Sequence, residues 1–244
     1  MSGTSYARFH KCDLHMHTPL DSHWRETSTR LAWDDPVGRQ RQVARSYLEA
    51  CHQAGLEVIA VTDHNFAPKP QLSFVRWLRE ENKDVAERKD RQPLVIFSGF
   101  ELEADIGRGC HILCVFHPDT PPDIVDSRLT ALGLPPDKRF DERGRPRQST
   151  CRLQDALRVV QEDLNSTGIV IAPHPFDNGV LDDGRLEIWL QQEEFRTPAL
   201  LCLEIPKPLE QLPKGLQKLL IGGEDCMPEW RRERPMAYVM SSDC

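Results

Sequence analysis

The sequence predicts an α/β fold built on a barrel-like sheet of seven strands. Seven short runs rich in Val, Ile, Leu and Cys recur along the 244 residues, and segments with helical character separate most of them. The runs are almost continuously apolar, which is typical of parallel strands that are covered on both faces. Alternating strand and helix units favour an α/β barrel, and the chain length suits one such domain.

The predicted strands are spread from the N-terminus to the C-terminus. They span residues 11–17, 57–64, 94–102, 110–116, 168–175, 199–206 and 236–243. Only residues 103–109 separate the third strand from the fourth, so a direct turn or an antiparallel hairpin is expected there. Predicted helices cover residues 39–54, 71–90, 153–166 and about 209–220.

Residues 117–150 interrupt this alternation. They contain TPPD, LPPD and the run DKRFDERGRPRQ, with too many prolines and charges for a core element. We therefore predict a surface insertion within a single domain that covers residues 1–244. Its basic side chains could contact phosphates, although a solvated charged loop is the commoner outcome. They are Lys138, Arg139, Arg143, Arg145 and Arg147.

The overall composition is that of an ordinary globular protein, with 39% hydrophobic and 28% charged residues. The net charge of −7 argues against a nonspecific nucleic-acid coat. It leaves a nucleic-acid substrate open, because bound divalent metals would add positive charge. The sequence shows neither an apolar run of about 20 residues nor a secretory leader, so no membrane association is expected. Eight scattered cysteines suit reduced thiols, and we expect a cytoplasmic protein.

The motif DLHMHT at residues 13–18 gives the first indication of function. In an extended strand, His15 and His17 would project from one face, with Leu14 and Met16 on the other. Two neighbouring imidazoles are ready metal ligands. The alternative is a half-buried strand with two satisfied histidines, so the rest of the chain must decide.

Metal-binding side chains recur where other predicted strands end, which favours a metal site. They are Asp63 and His64, Glu101, His174 and Asp243. The C-terminal ends of barrel strands carry active sites, so these side chains should meet at one rim. His111 opens its strand and can join them if that strand runs the other way.

The composition of this set indicates a multinuclear centre. Mixed imidazole and carboxylate ligands suit Zn²⁺, Mn²⁺ or Fe²⁺. The candidates exceed the needs of one ion, so two or three divalent ions are expected, with Glu101 suited to bridging. Metal ions about 4 Å apart are typical of phosphoryl hydrolysis. Asp13 and Asp63 are expected to accept hydrogen bonds that orient the imidazoles.

Taken in order, the motifs resemble those of the PHP family, the polymerase-and-histidinol-phosphatase phosphoesterases. DLHMHT is similar to the first motif, AVTDHN to the second, SGFELEA to the strand with the bridging glutamate, APHPF to the histidine-proline motif and SSDC to the start of the last. The resemblance covers the whole chain. It implies a distorted (β/α)7 barrel and a metal-dependent phosphoester hydrolase.

The resemblance also implies a ligand set for each ion. The first ion would take His15, His17, Glu101 and Asp243, the second Glu101, His111 and His174, and the third His23, His64 and a closing histidine. We assign catalytic roles to Glu101, His174 and Asp243. The final motif stops at Cys244, one position before that histidine, so we expect an N-terminal piece of a longer chain. The opening and the insertion also resemble the N-terminal PHP domain of large bacterial SMC- or AAA-like ATPases, which would place an ATPase module beyond residue 244.

Three functions remain open for this phosphoester site. They are a phosphodiesterase or nuclease acting on DNA or RNA, a phosphomonoesterase acting on a small metabolite, and a non-catalytic scaffold in an ATPase complex. The retained ligands count against the scaffold, and we favour the nuclease. Arg25, Arg108 and Lys207 lie near the predicted rim and could hold a phosphate, although each alone is more typical of a surface charge. Trp24, Trp33 and Trp77 could stack a base, with packing as the default.

Overall fold

A computed structural model describes residues 10–163 and 168–243. Seven strands form one sheet, in which each strand pairs with its neighbours in sequence. They are β1 (Cys12–Met16), β2 (Val58–Val61), β3 (Val95–Ala104), β4 (Cys110–Phe116), β5 (Gly168–Ala172), β6 (Cys202–Glu204) and β7 (Ala237–Val239). Each of the seven predicted apolar runs overlaps one strand, so the prediction of seven strands is confirmed.

Strand direction follows the expected pattern. β4 is antiparallel to both of its neighbours, and every other pair is parallel. The predicted hairpin between β3 and β4 is therefore confirmed. Gly99 allows the close approach of these strands, since a Cβ atom there would lie 2.4 Å from the carbonyl oxygen of Cys114.

The sheet curls around a small apolar interior to which every strand contributes. The side chains in this cluster are Leu14, Ala60, Phe97, Leu113, Val115, Ile171, Cys202 and Val239. No ladder joins β1 to β7 in the described residues. Instead, the backbone N–H of Ser242 donates to Asp13 (3.2 Å), and that of Asp243 donates to the carbonyl of His15 (3.2 Å). The expected barrel is thus present in strand number and curl, but without a closing ladder.

Six α-helices accompany the sheet in the described residues. They are α1 (Val37–Gln53), α2 (Val75–Arg88), α3 (Pro122–Ala131), α4 (Leu153–Leu157), α5 (Ile188–Arg196) and α6 (Lys214–Ile221). Three of the four predicted helices overlap α1, α2 and α6. The predicted helix 153–166 is only partly correct: α4 passes into a π-helical turn at Arg158–Glu162, and residues 164–166 lie outside the described residues.

Helices α1 and α2 cover the outer face of the first strands. Leu48 of α1 and Leu78 of α2 pack in one cluster with Ile59 and Ile96 of the sheet. A larger cluster covers β3 to β7 and includes residues from α3, α4 and α5. The apolar runs are therefore buried on both faces, as their composition predicts.

The expectation that residues 117–150 contain no core element is wrong. This segment contains α3, whose Val125 and Leu129 are fully buried. Pro121 and Pro122 begin the helix, because proline suits the first helical turn. Arg139 is also fully buried, where it pairs with Asp126 at 2.6 Å.

Two bulk expectations can be compared with the described residues. None of the described helices has the length and apolar character needed to cross a membrane. The seven described cysteines are free, and six of them are buried. Cys244 lies outside the described residues.

Candidate metal centre

The end of β1 brings His15 and His17 together through a β-bulge. The pairing register between β1 and β2 shifts between Asp13 and Met16. As a result Leu14 packs inside the barrel, whereas Met16 packs against the α1 and α2 cluster. The expectation that these two apolar side chains share a face is therefore wrong, since the extra residue of a bulge breaks the alternation. The two imidazoles are both buried, with ring centroids 5.2 Å apart.

Glu101 of β3 lies at the centre of the site and is 1% exposed. Five imidazoles surround its carboxylate in two groups. Its Oε2 faces Nε2 of His15 (3.2 Å), His64 (3.2 Å) and His17 (3.4 Å). Its Oε1 faces Nδ1 of His111 (2.6 Å) and Nε2 of His174 (3.1 Å). One carboxylate therefore stands between two sets of nitrogen donors.

His111 of β4 and Asp243, which follows β7, complete the set. Because β4 runs antiparallel to β3, the start of β4 lies beside the end of β3, and His111 reaches the same rim. Asp243 follows β7 with a positive φ of 50° and a side chain that is 47% exposed. Its Oδ1 lies 3.5 Å from Nε2 of His15 and 3.6 Å from Nε2 of His17.

Three of the imidazoles are held in place through the nitrogen that faces away from Glu101. Nδ1 of His15 lies 2.9 Å from Oε2 of Glu204, and Nδ1 of His64 lies 3.0 Å from Oδ2 of Asp21. Nδ1 of His174 donates to the carbonyl of Asp177. An oxygen acceptor on one ring nitrogen fixes the tautomer that presents the other nitrogen as a ligand.

Asp13 and Asp63 have different partners from those expected. Asp13 accepts backbone N–H groups of His15 and Ser242, both at 3.2 Å. Asp63 accepts the backbone N–H (2.6 Å) and the hydroxyl (2.7 Å) of Thr18. Neither makes a described hydrogen bond to an imidazole ring, so the prediction that they orient the rings is wrong. They hold the backbone of the site, and burial together with the charge of Asp21 raises the pKa of Asp63 to about 7.

Asp21 and Glu204 are the site residues that the sequence reasoning missed. Asp21 is 4% exposed, and its carboxylate lies within 3.4 Å of the rings of His17, His23 and His64. Glu204 ends β6, so the rule of carboxylates at strand ends could have found it. Asp21 stands in a turn between β1 and α1, where no periodicity marks it.

The buried imidazoles and carboxylates of the cluster shift one another's pKa values. Burial lowers the pKa of His15, but its hydrogen bonds to Glu101 and Glu204 outweigh this and raise it to about 10. Burial likewise disfavours charge on His17, yet Asp21, Asp243 and Glu101 raise its pKa. Burial alone would raise the pKa of Glu101, and the surrounding imidazoles bring it well below its ordinary value. Burial also favours a raised pKa for Asp21, but its hydrogen bonds to the rings of His17, His23 and His64 lower it.

Four overlapping sets of three side chains can each hold a divalent cation. Within each set the ligand atoms lie within 4.8 Å of one another. The sets are His15, Glu101 and His174; His15, His17 and Asp243; His17, Asp21 and His64; and His64, Glu101 and His111. These sets fit a metal centre, because imidazole nitrogens and carboxylates converge on one buried carboxylate. A cation would replace the protons that these groups otherwise share.

His23 lies at the edge of this centre. Its side chain is 60% exposed, and its ring centroid is 4.2 Å from that of His64. It belongs to none of the four sets within the described residues. Its place in a third ion site stays a prediction.

An open cavity of about 440 Å³ leads to the cluster. Its lining includes Trp24, Arg25 and Glu26, and also Asp177 and Asn178. Arg108 and Lys207 are exposed and are not among the described lining residues, so their proposed phosphate contact lacks support from this cavity. Trp33 is partly buried, and Trp77 is buried with its indole N–H donating to Gln40 (2.8 Å).

Comparisons with known proteins find distant structural neighbours. No family model matches the sequence, and no curated protein matches it. A two-domain protein from Bacteroides vulgatus that contains a PHP-like metal-dependent phosphoesterase, assigned by prediction, gives a TM-score of 0.43 and 15% identity over 82% of this chain. This chain spans 47% of that protein. A protein from Bifidobacterium adolescentis with an inferred metal-dependent phosphoesterase activity gives a TM-score of 0.48 and 14% identity over 96% of this chain and 87% of its own.

Proposed function

We propose that this protein is a metal-dependent phosphoester hydrolase. The observation that carries the proposal is the position of Glu101, whose two oxygens face two separate groups of imidazoles. A buried carboxylate in this position suits the bridge between two divalent ions, for which Mn²⁺, Zn²⁺ and Fe²⁺ match the mixed ligands. The resemblance of the motifs to the PHP family points the same way.

The ligands divide between the two oxygens of Glu101. His15, His17 and Asp243 would hold one ion beside Oε2, and His111 and His174 would hold a second beside Oε1. We propose His64 and His23 for a third, with the buried Asp21 carboxylate between them. When bound, such ions polarise the phosphoryl oxygens and lower the pKa of a coordinated water.

The chain's own residues would position these ligands and the substrate. Glu204 holds Nδ1 of His15, which keeps Nε2 directed at Glu101. The carbonyl of Asp177 does the same for His174. Arg25, on the cavity wall, is placed to bind a phosphoryl oxygen. The fixed rings need little rearrangement when the substrate arrives.

Within this class we propose a phosphodiesterase that acts on nucleic acid. The cavity is open to solvent, and its wall carries Trp24, whose face could stack on a base. A phosphomonoesterase acting on a small metabolite is the alternative, since the same centre would attack either kind of ester. The non-catalytic scaffold is disfavoured, because every expected ligand up to Asp243 is present.

The decisive experiment assays metal-loaded protein on single-stranded DNA, RNA and a panel of phosphomonoesters. Elemental analysis should first show two or more ions of Mn, Zn or Fe per chain. We expect hydrolysis of the polynucleotides with slower or no release of phosphate from the monoesters. The reverse order would favour the phosphomonoesterase, and no hydrolysis by protein with two bound ions would refute the hydrolase.

Replacement of the bridging carboxylate should remove activity. Glu101→Gln should lose more than about nine-tenths of wild-type turnover, because metal-centre effects are worth several kcal/mol. The control is Glu87→Gln, on an exposed side chain of α2, which should keep full activity. Circular dichroism of both variants would show whether the fold is retained. A folded Glu101→Gln enzyme with more than a tenth of the wild-type rate would mean that the centre is built elsewhere.

A further inference from the structure

A hairpin rich in arginine stands beside the metal centre. We define it as residues 139–147, in which Phe140 and Pro146 form an antiparallel bridge. Asp141 organises its turn by accepting the backbone N–H groups of Arg143 (2.8 Å) and Arg145 (2.9 Å), and it pairs with the Arg145 guanidinium at 2.7 Å. The hairpin is thus an ordered element within a charged segment.

The base of the hairpin is tied directly to the metal centre. Asn65 follows His64 in the chain, and its side-chain amide donates to the carbonyls of Arg139 (2.8 Å) and Arg147 (2.9 Å). Asn65 is buried, with a positive φ of 54°. The guanidinium of Arg139, at the start of the hairpin, donates to Asp126 and to the carbonyl of Ala67, both at 2.6 Å. The hairpin therefore has a fixed position relative to the ligand His64.

Two further cavities border His64 on the side of the hairpin. One, of about 320 Å³, is lined by Arg143 and Arg145 together with Arg30 and Trp33. The other, of about 410 Å³, is lined by Arg145 and Arg147 together with His23 and His111. His64 lines all three cavities. A ligand that leaves the metal centre past His64 would therefore pass between arginine side chains.

Two arginine side chains of the hairpin are not paired with acidic neighbours. Glu103 pairs with Arg185 (3.3 Å), Asp141 pairs with Arg145, and Asp63 is bound by Thr18. In the described part of the chain, the exposed guanidinium groups of Arg143 and Arg147 make no hydrogen bond or ion pair. Free guanidinium groups on a rigid support are suited to phosphate oxygens.

We infer that the hairpin binds the phosphates of a single-stranded polynucleotide on one side of the bond that is cleaved. This inference rests on the proposed function and names its substrate class more closely. Trp33 and Phe140 are partly buried and line the cavity of about 320 Å³, where their rings offer stacking surfaces for unpaired bases. A duplex, whose bases are already stacked and paired, could not use these recessed surfaces. The preference should therefore be for single strands.

The test compares two double variants with the same change in charge. Arg143→Gln with Arg147→Gln removes the two unpaired guanidinium groups and leaves the Asp141 and Asn65 contacts in place. The matched control is Arg91→Gln with Arg234→Gln, two exposed arginines that precede β3 and β7 at the other end of the sheet. Metal-loaded proteins are titrated with a fluorescein-labelled 12-nucleotide phosphorothioate DNA, which resists hydrolysis, at several salt concentrations.

We expect the hairpin variant to bind this DNA at least tenfold more weakly than wild type. Its slope of log K against log salt should be smaller by about 1.4, since about 0.7 is lost for each phosphate contact on a single strand. Arg143→Lys with Arg147→Lys should restore most of the slope, and the control should match wild type. Thermal melts check folding. If the double variant is unstable, each single Gln variant should show about half of this decrease, a slope smaller by about 0.7.

Several results would overturn the inference. They are absence of DNA binding by wild type, an equal slope in wild type and the hairpin variant, an equal loss in the control, and equal affinity for duplex of the same length. Hydrolysis is measured separately with bis(p-nitrophenyl) phosphate, which has no flanking phosphates and whose rate should stay within about twofold in the hairpin variant. Slope loss without hydrolysis of any ester would refute the proposed function but leave the binding site standing.

Discussion

Glu204 and Asp21 decide which nitrogen of each nearby histidine remains available as a ligand. An imidazole that donates from Nδ1 to a carboxylate must present a lone pair at Nε2 when it is neutral. Glu204 imposes this on His15, and Asp21 imposes it on His64. Because both carboxylates are buried, the hydrogen bonds are little weakened by water. The ligands are therefore oriented before any ion arrives.

Removal of the charge on Glu204 should weaken metal binding. Glu204→Gln keeps the size of the side chain but offers His15 a neutral acceptor. Loss of such an outer partner typically reduces metal affinity or activity by about 10–100-fold. We expect a shift of this size, measured by competition with a chromophoric chelator.

The control for this variant is Glu210→Gln, which alters an exposed carboxylate in the short 3₁₀ turn after β6. It should bind metal as wild type does. If Glu204→Gln also keeps wild-type affinity while remaining folded, His15 is oriented by other contacts or does not bind the ion.

At the scale of elements, the segment between β4 and β5 depends on Arg139. Its guanidinium is fully buried and donates to Asp126 and to the carbonyls of Ala67 and Leu134. It thereby joins α3, the hairpin and the turn after β2. Removal of one partner from a buried ion pair leaves the other without compensation, which is more costly than loss of the pair as a whole.

Arg139→Met should destabilise the protein by about 3 kcal/mol, because Asp126 and two carbonyls would lose their donor. Arg143→Met, in the same hairpin but exposed, should change the free energy of unfolding by less than about 0.5 kcal/mol. Urea denaturation of the metal-loaded proteins measures both. A cost below about 1 kcal/mol for Arg139→Met would show that water reaches the pair or that the hairpin rearranges.

The same elements show what could be predicted from sequence. Nearly continuous apolar runs predicted all seven strands, since burial on both faces leaves a clear signal. Helix α3 was hidden by Pro121 and Pro122, which resemble loop residues but also suit a helix start. Helix α5 was missed because Ile188 and Trp189 are exposed, so its apolar residues do not mark one buried face. These helices depend on tertiary contacts that local patterns do not encode.

For the site, the rule that metal ligands gather at strand ends was more informative than the predicted local geometry. His64 and His174 follow the ends of their strands, and Glu101 lies three residues before the end of β3. The structure brings all three together. The contacts of Asp13 and Asp63 could not be derived, because a carboxylate beside a histidine in sequence can turn to the backbone. The burial of Arg139 depends on Asp126, 13 residues away, which no charge pattern reveals.

At the scale of the whole molecule, the cluster sits where the curled sheet brings its two edges together. Asp243 follows the last strand and contacts His15 at the end of the first. Metal binding there would add a link between β1 and the segment after β7. Ions that bind only the folded state stabilise it according to their affinity and concentration. Metal content and stability should therefore be coupled through this closure.

The pH dependence of stability should differ between metal-free and metal-loaded protein. The pKa of His15 rises from 6.5 to about 10 on folding, so its contribution is complete below pH 6.5 and is lost as the pH rises toward 10. Protonated imidazoles cannot bind metal, so ions must displace these protons. We expect the melting temperature of chelator-treated protein to fall between pH 6.5 and 8.5, while metal affinity increases over the same range.

Calorimetry of metal binding at pH 7, in two buffers with different ionisation enthalpies, counts the protons that are released. We expect at least one proton to be released per protein chain when the metal ions bind, because a pKa of about 10 keeps His15 protonated at pH 7 in the metal-free protein. His15→Gln should lower the count by about one, whereas His117→Gln, on an exposed ring outside the cluster, should leave it unchanged. A proton count near zero in wild type would mean that the rings are already neutral before metal binds. The carboxylates around Glu101 would then hold their charge without help from the imidazoles.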